Sequence, residues 1–296
     1  MATTVSGAGS IYDLGYRPYE GARLGRSYAF RSLFLYSLRS IFGISRSLMA
    51  KVFPIGLAGV ALLPAVVQLG VAAIAPADIR LIRPENYFEF VEVVLALFCA
   101  VTAPELIGRD QRHRVLPLYF SRALSRGDYL AAKVAALFAA LLAVSLAPQL
   151  VLFAGSAVAA SDLGDYVVHN ADVLAPMAAS SLVIAAFMSA VSLTLGSQTP
   201  RRAYATVAVL AYFVVFGVVG GILVETTTGT VQHYVVLVSP NAVLEGTTRW
   251  IFSAPAPAGS PVAKAGLDGY VYLAAAAAYA AAALGLLWRR FQRLAA

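Results

Sequence analysis

Six long apolar runs dominate the sequence, and polar or charged stretches separate them. The runs cover residues 53–75, 88–107, 130–157, 173–196, 203–224 and 270–288. A helix needs roughly 20 apolar residues to cross the hydrocarbon core of a bilayer, and each run is about that long. The pattern therefore predicts an all-α polytopic membrane protein, whose six transmembrane helices form one domain at 53–288.

Two segments of different character precede the first run. Residues 1–26 mix Gly, Pro and Tyr with arginines, which predicts a turn-rich N-terminal arm. Residues 27–51 repeat arginines on one side of a helical wheel and apolar residues on the other. This pattern is typical of an amphipathic helix that lies in the membrane interface. A solvated helix packed on a soluble partner would have the same pattern and stays open as the alternative.

The longest interruption lies between the fifth and sixth runs, at 225–268. Its apolar part is broken at Ser239, Pro240 and Asn241, so it is unsuited to span a membrane. We expect a pair of short re-entrant or surface helices before the last span, where they would form an outer gate. Non-helical backbone is tolerated at membrane depth only when it is buried in protein or lines water, which would place such a hairpin at a gate. A fully extracytoplasmic cap is the alternative.

Composition and charge agree with a membrane protein and predict its orientation. Hydrophobic residues make up 60% of the chain and charged residues only 12%, against about a quarter in soluble domains. Of the 22 lysines and arginines, all but Arg80, Arg83, Arg249 and Lys264 fall on one side of a six-span topology. Basic residues favour the cytoplasmic side, so both termini, including the tail 289–296, are predicted to be cytoplasmic. The net charge of +7 is then a topology signal, and we expect no nucleic-acid partner.

The motifs of common catalytic sites are missing from the sequence. It has no G-x-x-x-x-G-K-[ST] phosphate loop and no H-E-x-x-H zinc motif, and it lacks a G-x-S-x-G nucleophile elbow. The single cysteine, Cys99, lies in an apolar run and excludes an internal disulfide or a cysteine-based metal cluster. We therefore expect no enzyme, no catalytic or metal-binding residues, and no cofactor bound by this chain.

Carboxylates at helical spacing mark the outer end of the second run. Glu85, Glu89 and Glu92 would share one helix face. Because carboxylates inside a membrane are costly and usually functional, Glu89 and Glu92 are candidate pathway residues that would attract cations or protons. Pairing with Arg80 or Arg83 at the interface is the alternative.

Two further pairs of residues inside the apolar runs are candidates. Gln68 and Gln149 would line a pathway or, alternatively, hold neighbouring helices together. Gly217 and Gly221 form a G-x-x-x-G pair, which allows close helix approach and is a candidate dimer contact. Such pairs also arise by chance in apolar helices.

The stretch from Pro104 to Lys133 is the most patterned polar segment. It reads PELIGRDQRHRVLPLYFSRALSRGDYLAAK. Pro104 is expected to kink the end of the second span, and Glu105 is expected to lie close to Arg109, four residues on. Residues 108–129 would then form a basic cytoplasmic loop with a short amphipathic core.

This stretch resembles the segment that follows the second span in type-2 ABC export permeases. The family pattern is approximately I-S-R-D-R-x-x-G-T-L-x-x-L-L-S-R-P-L-S-R-x-x-Y-L-x-x-K. The residues that fit it are Ile107, Arg109, Asp110, Leu116, Leu118, Ser121, Arg122, Leu124, Ser125, Arg126, Tyr129, Leu130 and Lys133. The arm DLGYRPYEGARLGR also resembles that of family members. The chain departs from the pattern at His113 and Arg114, which replace Gly-Thr, and at Ala123, which replaces proline.

The resemblance implies that the loop is a coupling helix seated in a groove of a cytoplasmic ABC ATPase dimer. The coupling residues would be Glu105, Arg109, Asp110, Arg112, Arg114, Leu116, Leu118, Phe120, Ser121 and Arg122. ATP and Mg would bind the ATPase, and the other partners would be a second permease copy or a homologous permease, and membrane lipids. The expected function is the permease subunit of a bacterial ABC exporter.

Two alternatives to this reading stay open. The loop could be a solvated basic segment that only enforces topology. The whole protein could be an ATP-independent secondary transporter or a membrane assembly scaffold that uses Glu89 and Glu92.

Overall fold

The computed structural model describes residues 21, 24–44, 48–74, 82–113, 115–120, 124–160 and 162–294, and no strand occurs within them. The helices are α1 Gly25–Ile41, α2 Leu48–Ile74, α3 Tyr87–Ala103, α4 Arg109–Arg112, α5 Leu116–Phe120, α6 Arg126–Ala159, α7 Leu163–Asn170, α8 Leu174–Ser197, α9 Arg202–Thr226, α10 Thr230–Val235, α11 Pro240–Ile251, α12 Pro261–Ala265 and α13 Gly269–Leu294. A π-helical turn at Pro104–Gly108 joins α3 to α4.

Six helical segments are long and apolar enough to cross a membrane. They are Ala50–Ala72, Pro84–Arg112, Arg126–Ala159, Leu163–Ser197, Arg202–Thr226 and Gly269–Arg293. They coincide with the six apolar runs, so the predicted all-α polytopic membrane fold is confirmed. Several segments extend past the runs because capping also sets helix ends. Ser125, for example, caps α6 by accepting a hydrogen bond from the backbone N–H of Asp128.

The spans differ in how much of their apolar surface the chain itself covers. The spans built on α3, α6 and α8 have 61%, 50% and 67% of their apolar windows buried, against 17%, 22% and 22% for those of α2, α9 and α13. The first three form an inner column, and the other three leave most of their apolar surface uncovered. Leu95, Phe98, Leu137 and Leu141 in the column have no accessible surface, so its interior is tightly packed.

The amphipathic helix α1 is shorter than its sequence pattern predicts. It ends at Ile41 rather than Lys51, because the chain turns at Gly43, whose φ is +65°. A Cβ at Gly43 would collide with the backbone of Ala50, so only glycine fits this turn. Residues 48–51 belong to α2 instead.

The two sides of α1 face different surroundings. Its apolar side is buried, with Leu33, Ser37 and Ile41 covered and α6 as its main neighbour. Arg31 and Arg39 lie on the exposed side, as the periodicity predicts. The location of this helix in the membrane interface stays a prediction.

Short helices occupy the segment between the last two spans, where the sequence predicts them. The chain breaks at Ser239, which caps α11 by accepting a hydrogen bond from the N–H of Ala242, and Pro240 begins the helix. α11 packs against α13, α9 and α8. Gly246 lies against the ring of Tyr272, where a Cβ would not fit. This close approach fixes α11 against the last span.

Candidate functional site

Three polar side chains from two spans meet in a buried cluster at the base of the basic loop. Lys133 is 2% exposed, and its Nζ lies 2.8 Å from Oδ2 of Asp110. The Tyr129 hydroxyl donates a hydrogen bond of 2.8 Å to the same oxygen. The Lys133 ammonium also lies 5.4 Å from the centroid of the Tyr129 ring, a cation–π contact. We call Asp110, Tyr129 and Lys133 the loop clasp.

The loop clasp joins the two ends of the loop. Asp110 lies in α4, where the loop begins, and Tyr129 and Lys133 are one helical turn apart in α6, where it ends. A buried charge that loses its partner is strongly destabilising, so this ion pair holds α4 against α6. Asp110 is among the predicted coupling residues, but its carboxylate is buried. Its contribution is therefore to position the loop.

Glu105 forms a second contact, in the π-helical turn. Its Oε1 lies 2.9 Å from Nη1 of Arg202 and 3.8 Å from Nη2 of Arg112. The expected neighbour Arg109 does not form an ion pair with it, because the wider π turn shifts the usual alignment of residues four apart. Glu105 thereby ties the end of the second span to the start of α9.

Hydrogen bonds connect the start of the loop to the link between α8 and α9. Arg112 Nη1 donates to the carbonyl oxygen of Pro200 at 3.2 Å, and Gln111 Nε2 donates to that of Ser197 at 3.4 Å. Arg290 of α13 donates to the carbonyl oxygen of Gln198 at 3.0 Å. The ends of α4, α8 and α13 therefore meet on one short link.

The far end of the loop is connected to α1 and α13. Asp128 accepts two hydrogen bonds from the guanidinium group of Arg26, at 2.7 and 2.8 Å, a bidentate geometry that fixes orientation. Arg126 Nη1 donates to the carbonyl oxygen of Gln292 at 3.4 Å. A displacement of the loop would therefore act on α1 and α13 as well as α6.

Leu116 and Leu118 are apolar members of the predicted coupling residues and would anchor the loop in an ATPase groove, but they differ in exposure. Leu118 is 66% exposed, whereas Leu116 packs against the core. The ring of Tyr119, next in sequence, lies 5.6 Å from that of Tyr129 and so rests on the loop clasp. Of the two leucines, Leu118 is therefore the exposed one. Arg114, Ser121, Arg122 and the side chain of Phe120 lie outside the described residues.

A second polar cluster lies at the opposite end of the bundle. Glu89 of α3 forms an ion pair with Arg249 of α11, and Glu92 and Glu245 are close enough for their charges to interact. Oε1 of Glu245 and the hydroxyl of Tyr272 are buried and have no hydrogen-bond partner within the described part of the chain. The sequence pattern identifies Glu89 and Glu92 but misses the other three. The spacing of Glu245 and Arg249, four residues apart, is the signal that points to one helix face.

The remaining candidate residues make contacts within the chain. Gln68 accepts a hydrogen bond from the N–H of Ile82 at 2.9 Å. Gln149 donates to the Ser181 hydroxyl at 3.1 Å and so joins α6 to α8. Both glutamines therefore hold neighbouring segments together, and their role in a pathway stays a prediction. The alternative pairing of the outer carboxylates is present for Glu85, which lies 3.8 Å from Arg83; Arg80 lies outside the described residues.

The two glycines of the G-x-x-x-G pair lie in different surroundings. A Cβ on Gly217 would lie 2.9 Å from Nδ2 of Asn241 in α11, whereas Gly221 faces open space. A Cβ on Gly220 would come too close to Ser239. Close approach to the short helices thus involves Gly217 and Gly220, and the dimer contact stays a prediction.

The substitution Glu245→Gln is expected to raise the unfolding temperature in detergent at pH 8. This increase is expected to become smaller as the pH is lowered to 4.5. Burial, followed by the charge of Glu89, raises the pKa of Glu245 from 4.5 to about 7. Because the folded state binds this proton more tightly, the stability cost of ionising Glu245 grows as the pH rises from about 4.5 to about 7. Glu225→Gln, at an exposed carboxylate that pairs with Lys264, is the control. If the unfolding temperatures of both variants depended on pH in the same way, the raised pKa of Glu245 would be contradicted.

Comparison with protein families and with curated proteins gives no match for this chain.

Proposed function

We propose that this chain is the permease subunit of a bacterial ABC exporter, which forms the transmembrane pathway and is driven by a separate cytoplasmic ATPase. The observation that carries the proposal is that the basic loop has a fixed base and an exposed apolar side chain. Its base is fixed by the buried loop clasp, while Leu118 in the same loop is 66% exposed. A docking element needs both features, because it must bind a partner and pass on the partner's movement.

The contacts of the loop base supply a route for that movement. Glu105 and Arg112 reach the start of α9 and the link before it, and the Arg26–Asp128 pair reaches α1. Polar side chains packed in this way transmit displacement better than an untethered loop, since each contact would have to break before the loop moved alone. The arginines of the loop would steer an acidic surface toward it.

The sequence indicates that ATP would bind a partner protein rather than this chain. This chain carries no phosphate loop, so ATP and Mg would bind the partner, and closure of an ATPase dimer would move the loop. Both termini and the loop would lie in the cytoplasm, as the distribution of basic residues predicts. A second permease copy or a homologous permease would complete the exporter in the bacterial cell membrane.

Purification from native membranes tests this proposal. We expect a soluble ATPase to co-elute with the chain, and reconstituted vesicles containing both proteins to move a substrate only when ATP is hydrolysed. Transport by this chain alone, driven by a proton gradient, would contradict the proposal.

The second polar cluster, which contains Glu89, Glu92 and Glu245, supports a second candidate function, an ATP-independent transporter or a scaffold that uses Glu89 and Glu92. The buried Oε1 of Glu245 without a partner in the described residues favours it, because such a group is suited to take up a proton. The ion pair between Glu89 and Arg249 weakens it. The double variant Glu89→Gln/Glu92→Gln distinguishes the two: transport that persists with ATP favours the exporter, and transport that stops while ATPase binding persists favours the second candidate.

A further inference from the structure

The exposed side of α1 forms one wall of a cleft to which the proposed transport mechanism assigns no ligand. The cleft has a volume of about 580 Å³ and opens between α1 and Arg109 of α4, within the roughly 300–1,000 Å³ that is typical of small-molecule sites. Arg31, Arg39 and Arg109 line it, together with Tyr28 and Tyr36. Three cationic groups and two phenols from two separate helices therefore face one space.

These arginines have no partner among the described residues. None of the three guanidinium groups forms an ion pair or a side-chain hydrogen bond with a residue that the structure describes. In contrast, Arg26, Arg112 and Arg202 at this end pair with carboxylates. Within the described part of the chain, the cleft thus gathers positive charge that no carboxylate pairs with. Guanidinium groups bind phosphate oxygens with matched geometry.

The position of the cleft indicates where its anion would come from. Gly43, which follows α1, packs against Ala50, the first residue of the first span. The cleft therefore adjoins the end of the first candidate membrane span, Ala50–Ala72. Its wall also contains Leu35 and Ile44, which are 48% and 51% exposed. Phe53 of α2, which is 60% exposed, lines an adjoining cleft together with Ser40. Cationic groups beside exposed apolar side chains match a molecule with a phosphate and an acyl chain.

We propose that the cleft between α1 and α4 binds the headgroup of an anionic phospholipid, with its phosphate held by Arg31, Arg39 and Arg109. The two tyrosines supply further hydrogen-bond donors, and the acyl chains lie along Leu35, Ile44 and α2. The site goes beyond the proposed export function, since it requires neither an ATPase nor a substrate. It also gives Arg109 a role other than contact with the ATPase.

Native mass spectrometry of the purified full-length chain in neutral detergent tests the site. We expect phosphatidylglycerol to be retained at one site per chain and phosphatidylcholine to be retained weakly. The double variant Arg31→Gln/Arg39→Gln is expected to bind phosphatidylglycerol roughly 30-fold less tightly, because each basic residue near an anionic surface contributes about a factor of five. The double variant Arg31→Lys/Arg39→Lys keeps the charge and should lose threefold or less.

The matched control removes the same charge elsewhere at this end of the bundle. Arg201→Gln/Arg293→Gln should leave phosphatidylglycerol binding unchanged, and equal weakening by both glutamine pairs would overturn the proposal. Equal retention of the two lipids would also overturn it, as would displacement of phosphatidylglycerol by millimolar inorganic phosphate, which would assign the cleft to a soluble anion. Loss of ATPase co-elution with lipid binding intact would assign it to an acidic protein partner instead. Unchanged unfolding temperatures in phosphatidylcholine confirm that the variants are folded.

Discussion

Replacing Asp110 with leucine is expected to lower the free energy of unfolding by about 3–5 kcal/mol, the cost of leaving one member of a buried ion pair without its partner. Lys133 would remain 2% exposed with no counter-charge within the loop clasp. The effect is measured as the shift of the unfolding midpoint in a detergent titration. Tyr129→Phe removes a hydrogen bond to a charged group and should cost less, about 1.5–3 kcal/mol.

The paired variant Asp110→Leu/Lys133→Met provides the sharpest comparison. Removing both charges replaces the ion pair with apolar side chains of similar volume, and such replacements are often neutral or stabilising. The double variant should therefore be more stable than Asp110→Leu alone. The comparison also needs the single variant Lys133→Met. If the stability changes of Asp110→Leu and Lys133→Met simply add in the double variant, then the pair is not energetically coupled and the loop clasp does not hold the loop.

Replacing Leu118 with aspartate is expected to abolish co-elution of the partner ATPase while membrane insertion stays normal. Leu118 is 66% exposed, so the folded chain tolerates a charge there, but a carboxylate in an apolar groove would be desolvated without a partner. Loss of a central apolar anchor costs more than 2 kcal/mol in many interfaces, which corresponds to about 30-fold weaker binding. The readout is the amount of ATPase recovered per copy of this chain, at equal levels of the chain in the membrane.

Leu163→Asp is the matched control for this experiment. Leu163 is 54% exposed and lies in the first turn of α7, where an added carboxylate is favourable. The control should retain the ATPase at the level of the unchanged protein. Normal recovery with Leu118→Asp would remove Leu118 from the interface and leave the basic loop as a topology signal.

Local sequence properties predicted the spans, but they did not predict contacts between residues that are far apart in the sequence. The length of an apolar run depends only on neighbouring residues, so all six spans could be located. The end of α1 was displaced because the apolar periodicity continues past Gly43, although glycine is a common helix stop. The turn itself depends on the position of Ala50, which periodicity does not reveal.

The candidate site shows the same limit. Tyr129 and Lys133 stand one turn apart in the sequence, but their partner Asp110 comes from the other side of the loop. Glu105 pairs with Arg202, which is far away along the chain. Spacing can place residues on one helix face but cannot say which other helix that face meets. The second polar cluster was predicted only in part for this reason: Glu89 and Glu92 lie on the same helix, α3, whereas Glu245 lies on α11.

The tight packing of the inner column limits the route that a solute can take past this chain. Leu95, Phe98, Leu137 and Leu141 leave no room for even a water molecule beside them, and prising α3, α6 and α8 apart would forfeit their mutual contacts. A solute crossing the bilayer would therefore travel along an outer flank of the chain. The opposite wall of this route would have to come from another molecule, so one copy of the chain would form only one side of a transport pathway.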